Sequence, residues 1–78
     1  MIMNKIRRKK LENLMESLEE LRNDLDLIKE EEEDARDNIP ESMQESERYE
    51  KADAACEALD SAFDSLEEAL SYLEEAIE

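Results

Sequence analysis

The chain has 78 residues, of which 45% are charged, and its formal net charge is -15. Glycine and histidine are absent and proline occurs once, which excludes Ser-His-Asp, Cys-His and Glu-x-x-His chemistry and leaves a β-rich fold without its turn residues. Because a chain of this size buries only a modest fraction of its surface, association is expected.

The charge is distributed unevenly along the chain. Residues 1–10 contain five basic and no acidic residues, residues 11–78 contain five basic and 25 acidic ones, and residues 52–78 contain no basic residue. Nucleic acids and anionic membranes are bound by lysines and arginines that neutralise phosphates. We therefore expect neither of these partners, and expect a basic protein surface instead. The basic start leaves a membrane anchor or a nucleic-acid-binding arm open as alternatives.

The first predicted helix covers about residues 3–37 and contains no glycine or proline. From residue 11 its apolar side chains recur at alternating steps of three and four, the spacing of one helix face. Heptad positions a and d of this face are held in turn by Leu11, Leu14, Leu18, Leu21, Leu25 and Ile28. Met15 at position e widens the face, Leu27 lies off it, and Glu32 takes the next a position.

Five adjacent acidic residues interrupt this face: Glu30, Glu31, Glu32, Glu33 and Asp34. They repel one another, and they lie near a helix C-terminus, where the helix dipole also disfavours them. Two interpretations are open. The run is either a solvated segment of low local stability or a patch that contacts a basic partner.

The only break signal in the chain lies at residues 38–41, around Pro40. Proline cannot continue a helix interior, but it suits the first turn of a new helix. Ser42 and Glu45 fit a capping box, and Asn38 is a second candidate cap. We therefore predict a turn at about 38–41, a second helix at about 42–77, and an all-α antiparallel hairpin of two helices of about 50 Å each.

The second helix carries an unbroken heptad seam, with a and d positions at Tyr49, Ala52, Cys56, Leu59, Phe63, Leu66, Leu70, Leu73 and Ile77. Alanines fill the neighbouring g column, and three apolar columns are too wide for one partner helix. We expect the hairpin to form a homodimeric four-helix bundle, with an interface at Met15, Leu27, Ala55, Ala62, Ala69 and Ala76. A helix from a different protein is the alternative occupant of this stripe.

The two seams also predict a register. When facing residue numbers sum to 77, the layers are Ile28 with Tyr49, Leu25 with Ala52, Leu21 with Cys56, Leu18 with Leu59, Leu14 with Phe63, and Leu11 with Leu66. The midpoint falls at the predicted turn, and Glu32 faces Glu45 in a charged layer. Residues 5–10 are expected beside four acids of the second helix: Glu67, Glu68, Glu74 and Glu75. Each group lies at a helix end where the helix dipole disfavours its charge, and pairing with the opposite charge offsets that unfavourable placement.

Cys56 is the only cysteine, so an intrachain disulfide is impossible. Its a position predicts a small buried apolar group, with an intermolecular disulfide at a dimer axis and a reactive thiol as the alternatives. No apolar run approaches the roughly 20 residues of a membrane span, and the apolar start at residues 1–3 is too short for a signal sequence. A cytoplasmic location is expected.

Neither enzymatic activity nor a bound cofactor or metal is predicted. The chain has no glycine for a phosphate loop or an EF-hand turn, and its carboxylates lie on exposed helix faces instead of in a dry pocket. Binding by charge remains. The 25 acids along a rod of about 50 Å approach the linear charge density of duplex DNA, about one charge per 1.7 Å.

The predicted function is therefore the occlusion of a basic surface on another protein. The expected contacts are residues 30–34 together with Asp53, Glu57, Asp60, Asp64, Glu67, Glu68 and Glu75. Two alternatives remain: the charge serves only to keep a small bundle soluble, or the chain is a structural adaptor that binds a partner helix through its apolar stripe.

The string NIPESMQESERY at residues 38–49, followed by alanine, leucine and glutamate repeats to Glu78, resembles short acidic proteins carried by phages and prophages of Gram-positive bacteria. The resemblance covers about half of the chain. It implies a phage setting, in which small acidic non-enzymatic proteins often inhibit host defence or host nucleic-acid enzymes. It identifies no functional residues.

Overall fold

The computed structural model describes residues 3–43 and 46–78. These residues form two long α-helices, α1 (Lys5–Asp37) and α2 (Glu47–Ile77), with a short 3-10 turn at Glu41–Met43 between them. The two helices pack against each other along their lengths, and no strand occurs in this part of the chain. The predicted all-α helical hairpin is confirmed.

Both ends of α1 are capped by asparagine. The Asn4 side-chain oxygen accepts hydrogen bonds from the backbone N–H groups of Ile6 at 2.8 Å and Arg7 at 3.2 Å, which satisfies two of the donors that a helix start leaves unpaired. At the other end, the backbone N–H of Asn38 donates to the carbonyls of Asp34 and Arg36. Pro40 follows two residues later and prevents further helix.

The second helix starts five residues later than the predicted residue 42, because Ser46 and not Ser42 is its N-cap. The Ser46 hydroxyl accepts a hydrogen bond from the backbone N–H of Tyr49 at 3.3 Å. Ser42 lies in the 3-10 turn, and Glu45, its expected partner in a capping box, lies outside the described residues. The link between the helices is therefore residues 38–46.

The register of the hairpin also differs from the predicted one. Lys29 bonds to Asp60 and Arg36 bonds to Asp53, so facing residue numbers sum to 89, and the predicted sum of 77 is wrong. Each α1 residue therefore faces an α2 residue about 12 positions C-terminal to the one that the predicted register gives. This corresponds to a displacement of about 18 Å along the helix axis. The six expected layers, from Ile28 with Tyr49 to Leu11 with Leu66, do not form. The predicted layer of Glu32 with Glu45 involves a residue outside the described range.

The face that α1 turns toward α2 also differs from the predicted one. Every a and e position from residue 8 to residue 36 is half-buried or buried: Arg8, Leu11, Met15, Leu18, Arg22, Leu25, Lys29, Glu32 and Arg36. Asp26 and Glu33, at the neighbouring position b, are also half-buried. Position d points away from the contact, and its three large side chains are about half exposed: Leu14 49%, Leu21 58% and Ile28 53%. The helix is thus rotated by one column relative to the a/d face that the leucines predict.

The small core contains Met15, Ile39, Cys56 and Leu70, each less than a tenth exposed. Met15 is 7% exposed, so its predicted place on an outer interface is wrong. The α2 seam is confirmed, because every a and d position from Tyr49 to Ile77 is buried or half-buried.

The basic start of α1 extends beyond the end of α2. In the observed register Ile77 lies opposite residue 12, so residues 3–10 have no α2 backbone beside them. The longest dimension of the molecule, 59 Å, agrees with two helices of about 50 Å displaced along their axes. The predicted pairing of residues 5–10 with the four acids near the α2 C-terminus is therefore wrong. We call residues 5–10 the basic overhang.

Candidate protein-binding surfaces

The α1–α2 contact has two open sides, and each is lined by different heptad columns. One groove is lined by Lys29, Glu33, Arg36, Cys56, Glu57 and Asp60. The other is lined by Glu32, Ala35, Ile39, Arg48, Lys51 and Ala52. Because residues seven apart share a helix column, these two sets fix which columns flank each side along the whole hairpin.

The first side is acidic. It is flanked by the b column of α1, with Glu12, Glu19, Asp26 and Glu33, and by the e column of α2, with Asp53, Asp60, Glu67 and Glu74. In the observed register these columns run side by side, with an acid from each helix at every level. We call this side the acidic face.

Lys29 lies between the two acidic columns. Its ammonium group is 3.1 Å from the carboxylate of Asp60 and 3.8 Å from that of Asp26, and it lies 5.2 Å from the centre of the Phe63 ring. The hydrogen bond that Lys29 donates to Asp60 raises the pKa of Lys29 above its ordinary value, while desolvation opposes the rise. Lys29 thus links the helices and neutralises part of the acidic face.

Arg36 makes the equivalent link two turns farther along α1. Its guanidinium is 3.1 Å from Asp37 and 2.9 Å from Asp53, and these hydrogen bonds raise its pKa against the effect of desolvation. Two cations seven residues apart therefore bond to two acids seven residues apart. This matched spacing favours one register over its neighbours.

Cys56 is buried beside this groove and is only 6% exposed. Burial raises the pKa of its thiol; the positive charge of Arg36 opposes this, and the negative charges of Glu32, Glu33 and Asp53 reinforce it. Burial therefore disfavours the thiolate, which is the form in which a cysteine reacts. The prediction of a core cysteine is confirmed, and the alternatives of a reactive thiol and an intermolecular disulfide lose support.

The predicted contact acids fall into three groups. Asp53 and Asp60 are engaged in the interhelical ion pairs, and Glu32 and Glu33 are half-buried. The others are exposed and, within the described residues, form no ion pair: Glu30, Glu31, Asp34, Glu57, Asp64, Glu67, Glu68 and Glu75. The outer surface of α2 therefore carries the largest exposed share of the predicted set.

All acids of α2 occupy three heptad columns, b, e and f, and none occupies c or g. The g column contains Arg48, Ala55, Ala62, Ala69 and Ala76, and the c column contains Lys51, Ala58, Ser65 and Tyr72. In a chain of net charge -15, this segregation divides α2 into an acidic surface and a strip without acids, which is uncharged from Ala55 to Ala76.

The second side of the hairpin combines this strip with the exposed d column of α1. Adding the register to the column assignment places Leu14 at the level of Ala76, Leu21 at that of Ala69, and Ile28 at that of Ala62. Three levels thus show a large aliphatic side chain beside an alanine. We call the side formed by Leu14, Leu21, Ile28, Ala62, Ala69 and Ala76 the neutral face.

The predicted interface residues are divided by this geometry. Ala62, Ala69 and Ala76 are exposed on the neutral face, Ala55 is half-buried near the link, and Met15 is in the core. Leu27 is 60% exposed, but its c position lies outside the neutral face. The sequence reasoning missed Leu14, Leu21 and Ile28 as surface residues. One sequence feature does indicate that α1 packs through columns a and e and so exposes column d. It is the e column, where Met15, Arg22, Lys29 and Arg36 recur every seven residues.

No group of three or more potential metal ligands is assembled within residues 3–43 and 46–78. In the same ranges, neither helix contains an apolar stretch of the length and hydropathy needed to cross a membrane. An open recess at the start of α1 is lined by Met3, Lys5, Ile6, Arg8, Lys9 and Glu12. It combines apolar and basic side chains with the carboxylate of Glu12.

No protein-family model, curated protein or solved structure matches this sequence.

Proposed function

We propose that this chain is a non-enzymatic binding protein whose acidic surface covers a basic surface on another protein. The observation that carries the proposal is the segregation of charge on α2: its acids lie in three columns only, and residues 52–78 contain no basic residue. A charge needed only for solubility has no reason to avoid one side of a helix. A charge that contacts a partner has to be concentrated in one direction.

The dimensions of the hairpin suit a groove that normally holds nucleic acid. Its long axis is 59 Å and its other dimensions are 18 and 13 Å, so it is a narrow rod. The exposed acids of α2 follow this axis on side chains that reach outward, as phosphates follow a duplex. A positively charged groove attracts such a rod at long range and binds it with a strong dependence on salt.

The setting that we propose is a bacterial cell infected by a phage. The resemblance of residues 38–49 to short acidic phage proteins supports it, and an acidic rod that blocks a nucleic-acid-binding or defence protein fits such a setting. The protein acts there in the host cytoplasm. The target is a protein with a cationic groove, and the hairpin itself does not bind DNA or RNA.

A homodimeric four-helix bundle is the assembly that we propose for this function. The neutral face leaves three large aliphatic side chains about half exposed beside exposed alanines. Contiguous apolar surface of this kind on a small protein marks an interface. Burying the neutral face of two copies against each other leaves both acidic faces on the outside, where they remain available to the target.

The structural alternative is an adaptor that uses the neutral face itself for its partner. The same half-exposed column of Leu14, Leu21 and Ile28 is the observation that favours it. A groove of leucines flanked by alanines accepts an amphipathic helix. In that case the acidic face only keeps the molecule in solution.

The two functions differ in which surface the partner touches. We would capture partners from a bacterial lysate with the hairpin at low and high salt, using the triple variant Glu57→Lys, Asp64→Lys and Glu68→Lys. The matched control carries Glu16→Lys, Glu20→Lys and Asp24→Lys, which makes the same change of net charge on α1, outside the acidic face. These six positions are exposed.

Our proposal expects a partner that elutes with salt, is lost with the α2 variant and is retained with the α1 control. A partner that resists salt and is retained by both variants, but is lost when Leu21 is replaced by Glu, supports the adaptor instead. Loss with both charge variants to the same degree means that net charge and not the α2 surface attracts the partner, which contradicts the proposal.

A further inference from the structure

The neutral face is arranged symmetrically about its middle level. Leu14, Leu21 and Ile28 are spaced by seven residues on α1, and the three exposed alanines have the same spacing on α2. The central members, Leu21 and Ala69, lie at one level of the hairpin, because the alanine column and the leucine column share the register set by the Lys29–Asp60 pair. A surface with this property is self-complementary under a two-fold rotation about an axis perpendicular to the helices.

We propose that the neutral face binds a second copy of this chain about a two-fold axis that passes through the level of Leu21 and Ala69, perpendicular to the helices. The proposal rests on the dimer put forward above and gives it one geometry. In this geometry α1 packs antiparallel to α1 of the second copy, and α2 packs antiparallel to α2. Such an interface is isologous, as in most homodimers.

The layers of this dimer follow from the spacing. On the α1 side, Leu14 meets Ile28 of the second copy and Leu21 meets its own counterpart. On the α2 side, Ala62 meets Ala76 of the second copy and Ala69 meets Ala69. Aliphatic pairs fill one half of the interface, and alanine pairs let the two α2 backbones approach in the other half. No acid of α2 enters, because the c and g columns contain none.

The same axis assigns a role to the basic overhang. Levels related by the axis have α1 residue numbers that sum to about 42, so residues 7–10 of one copy lie at the level of residues 32–35 of the other. Arg7 extends the d column and Lys10 lies in the adjacent g column, both toward the neutral face. Glu31 and Asp34 lie in the columns on the same edge, and both are exposed. Opposite charges therefore meet at both ends of the interface.

Charge complementarity distinguishes this arrangement from the parallel alternative. A two-fold axis along the helices also brings two neutral faces together, but it places the two basic overhangs at one end and the two acidic runs at the other. Ten basic residues would then share one end, and like charges in such proximity are unfavourable. The antiparallel arrangement instead places each basic overhang, which has no α2 beside it, next to the exposed acids Glu31 and Asp34 of the other copy.

Disulfide trapping tests the geometry. In a Cys56→Ala background whose helix content is checked by circular dichroism, Leu21→Cys is expected to form a disulfide-linked dimer on mild oxidation, because the two thiols face each other at the axis. Leu14→Cys alone is expected to remain unlinked, as is Ile28→Cys alone. An equimolar mixture of these two variants is expected to cross-link. Efficient cross-linking of Leu14→Cys with itself overturns the proposal, as does a failure of all four samples to cross-link.

Charge reversal tests the role of the overhang by sedimentation equilibrium. Arg7→Glu with Lys10→Glu is expected to raise the dimer Kd by about tenfold, and adding Glu31→Lys with Asp34→Lys to the same chain is expected to restore it. The matched control is Lys5→Glu with Lys9→Glu, which makes the same charge change in columns b and f, on the opposite side of α1. Equal effects of the two pairs, or no rescue, contradict the assigned charge contacts.

The two proposals fail in different ways. A chain that stays monomeric and still captures a salt-sensitive partner through α2 contradicts this dimer and leaves the proposed function intact. A dimer with the expected disulfide pattern whose α2 charge variant captures the same proteins as the wild type supports this geometry and contradicts the proposed function.

Discussion

The ammonium group of Lys29 lies 3.1 Å from the Asp60 carboxylate and 5.2 Å from the centre of the Phe63 ring. One side chain of α1 thus makes both a charge contact and an aromatic contact with α2, one turn apart. The Arg36–Asp53 pair repeats the charge contact seven residues away. The register of the hairpin, and with it the composition of its two faces, depends on these pairs as well as on the apolar seam.

Exchanging the charges of the first pair tests its contribution to the register. Lys29→Asp and Asp60→Lys are each expected to lower the urea midpoint of unfolding, because each places two like charges at one level. The double variant is expected to recover most of the loss. If the double variant is destabilised by as much as the sum of the two single variants, the two groups do not interact.

The rotated face of α1 is tested by comparing two neighbouring apolar residues. Met15→Ala removes a core side chain and is expected to lower the free energy of unfolding by about 2 kcal/mol or more. Leu14→Ala removes an exposed one and is expected to cost less than about 1 kcal/mol when measured in the monomer at low protein concentration. Urea unfolding followed by circular dichroism measures both. The reverse order supports the a/d face instead.

How far the sequence predicts this fold differs between the two helices. In α2 the a and d positions are nearly all apolar and the acids avoid one side, so the packed face has no competitor. In α1 two faces share the leucines of column a. The a/d face contains more aliphatic residues, whereas the a/e face includes Arg22, Lys29 and Arg36. A hydrophobicity count treats such cations as exposed, but their long stems pack against apolar surface while their charges reach acids on the other helix.

The register was unpredictable for a related reason. Ser42 and Ser46 are both suitable N-caps, and moving the start of α2 from one to the other displaces the midpoint of the hairpin by two of the six residues that separate the predicted midpoint from the observed one. The acidic and neutral faces depend on that register. The individual acidic and alanine columns are therefore readable from the sequence, whereas their alignment across the two helices is not.

The choice of cap is open to a direct test. Ser46→Ala is expected to destabilise the protein by about 1 kcal/mol, because the hydroxyl that accepts the Tyr49 N–H at 3.3 Å is lost. Ser42→Ala, four residues earlier in the same link, is expected to change stability by less than about 0.5 kcal/mol. Thermal and urea unfolding of both variants measures the difference. A larger effect of Ser42→Ala means that α2 starts at the earlier serine.

Stability is expected to fall at alkaline pH. Burial raises the pKa of Cys56 above its ordinary value of 9.0, so the thiol ionises first in the unfolded chain, and this ionisation stabilises the unfolded chain relative to the folded one as the pH rises past 9.0. The pKa of Lys29 is raised above its ordinary value of 10.5 by Asp60, so its charged form stabilises the folded chain. This stabilisation decreases as the pH rises above 10.5 and is lost when the folded group deprotonates. Urea midpoints at pH 7, 9 and 10 measure the change. Cys56→Ala is expected to remove the part between pH 9 and 10, and an unchanged profile in this variant assigns that part to other groups.

The acidic surface of α2 as a substitute for nucleic acid is the central claim of this account. The most direct measurement is competition: a protein captured by the hairpin is loaded with fluorescent duplex DNA or RNA, and the anisotropy is followed as the hairpin is added. We expect the nucleic acid to be displaced by the wild-type hairpin and by the α1 charge control, but not by the variant with lysine at residues 57, 64 and 68. Simultaneous binding of hairpin and nucleic acid by the captured protein contradicts the account.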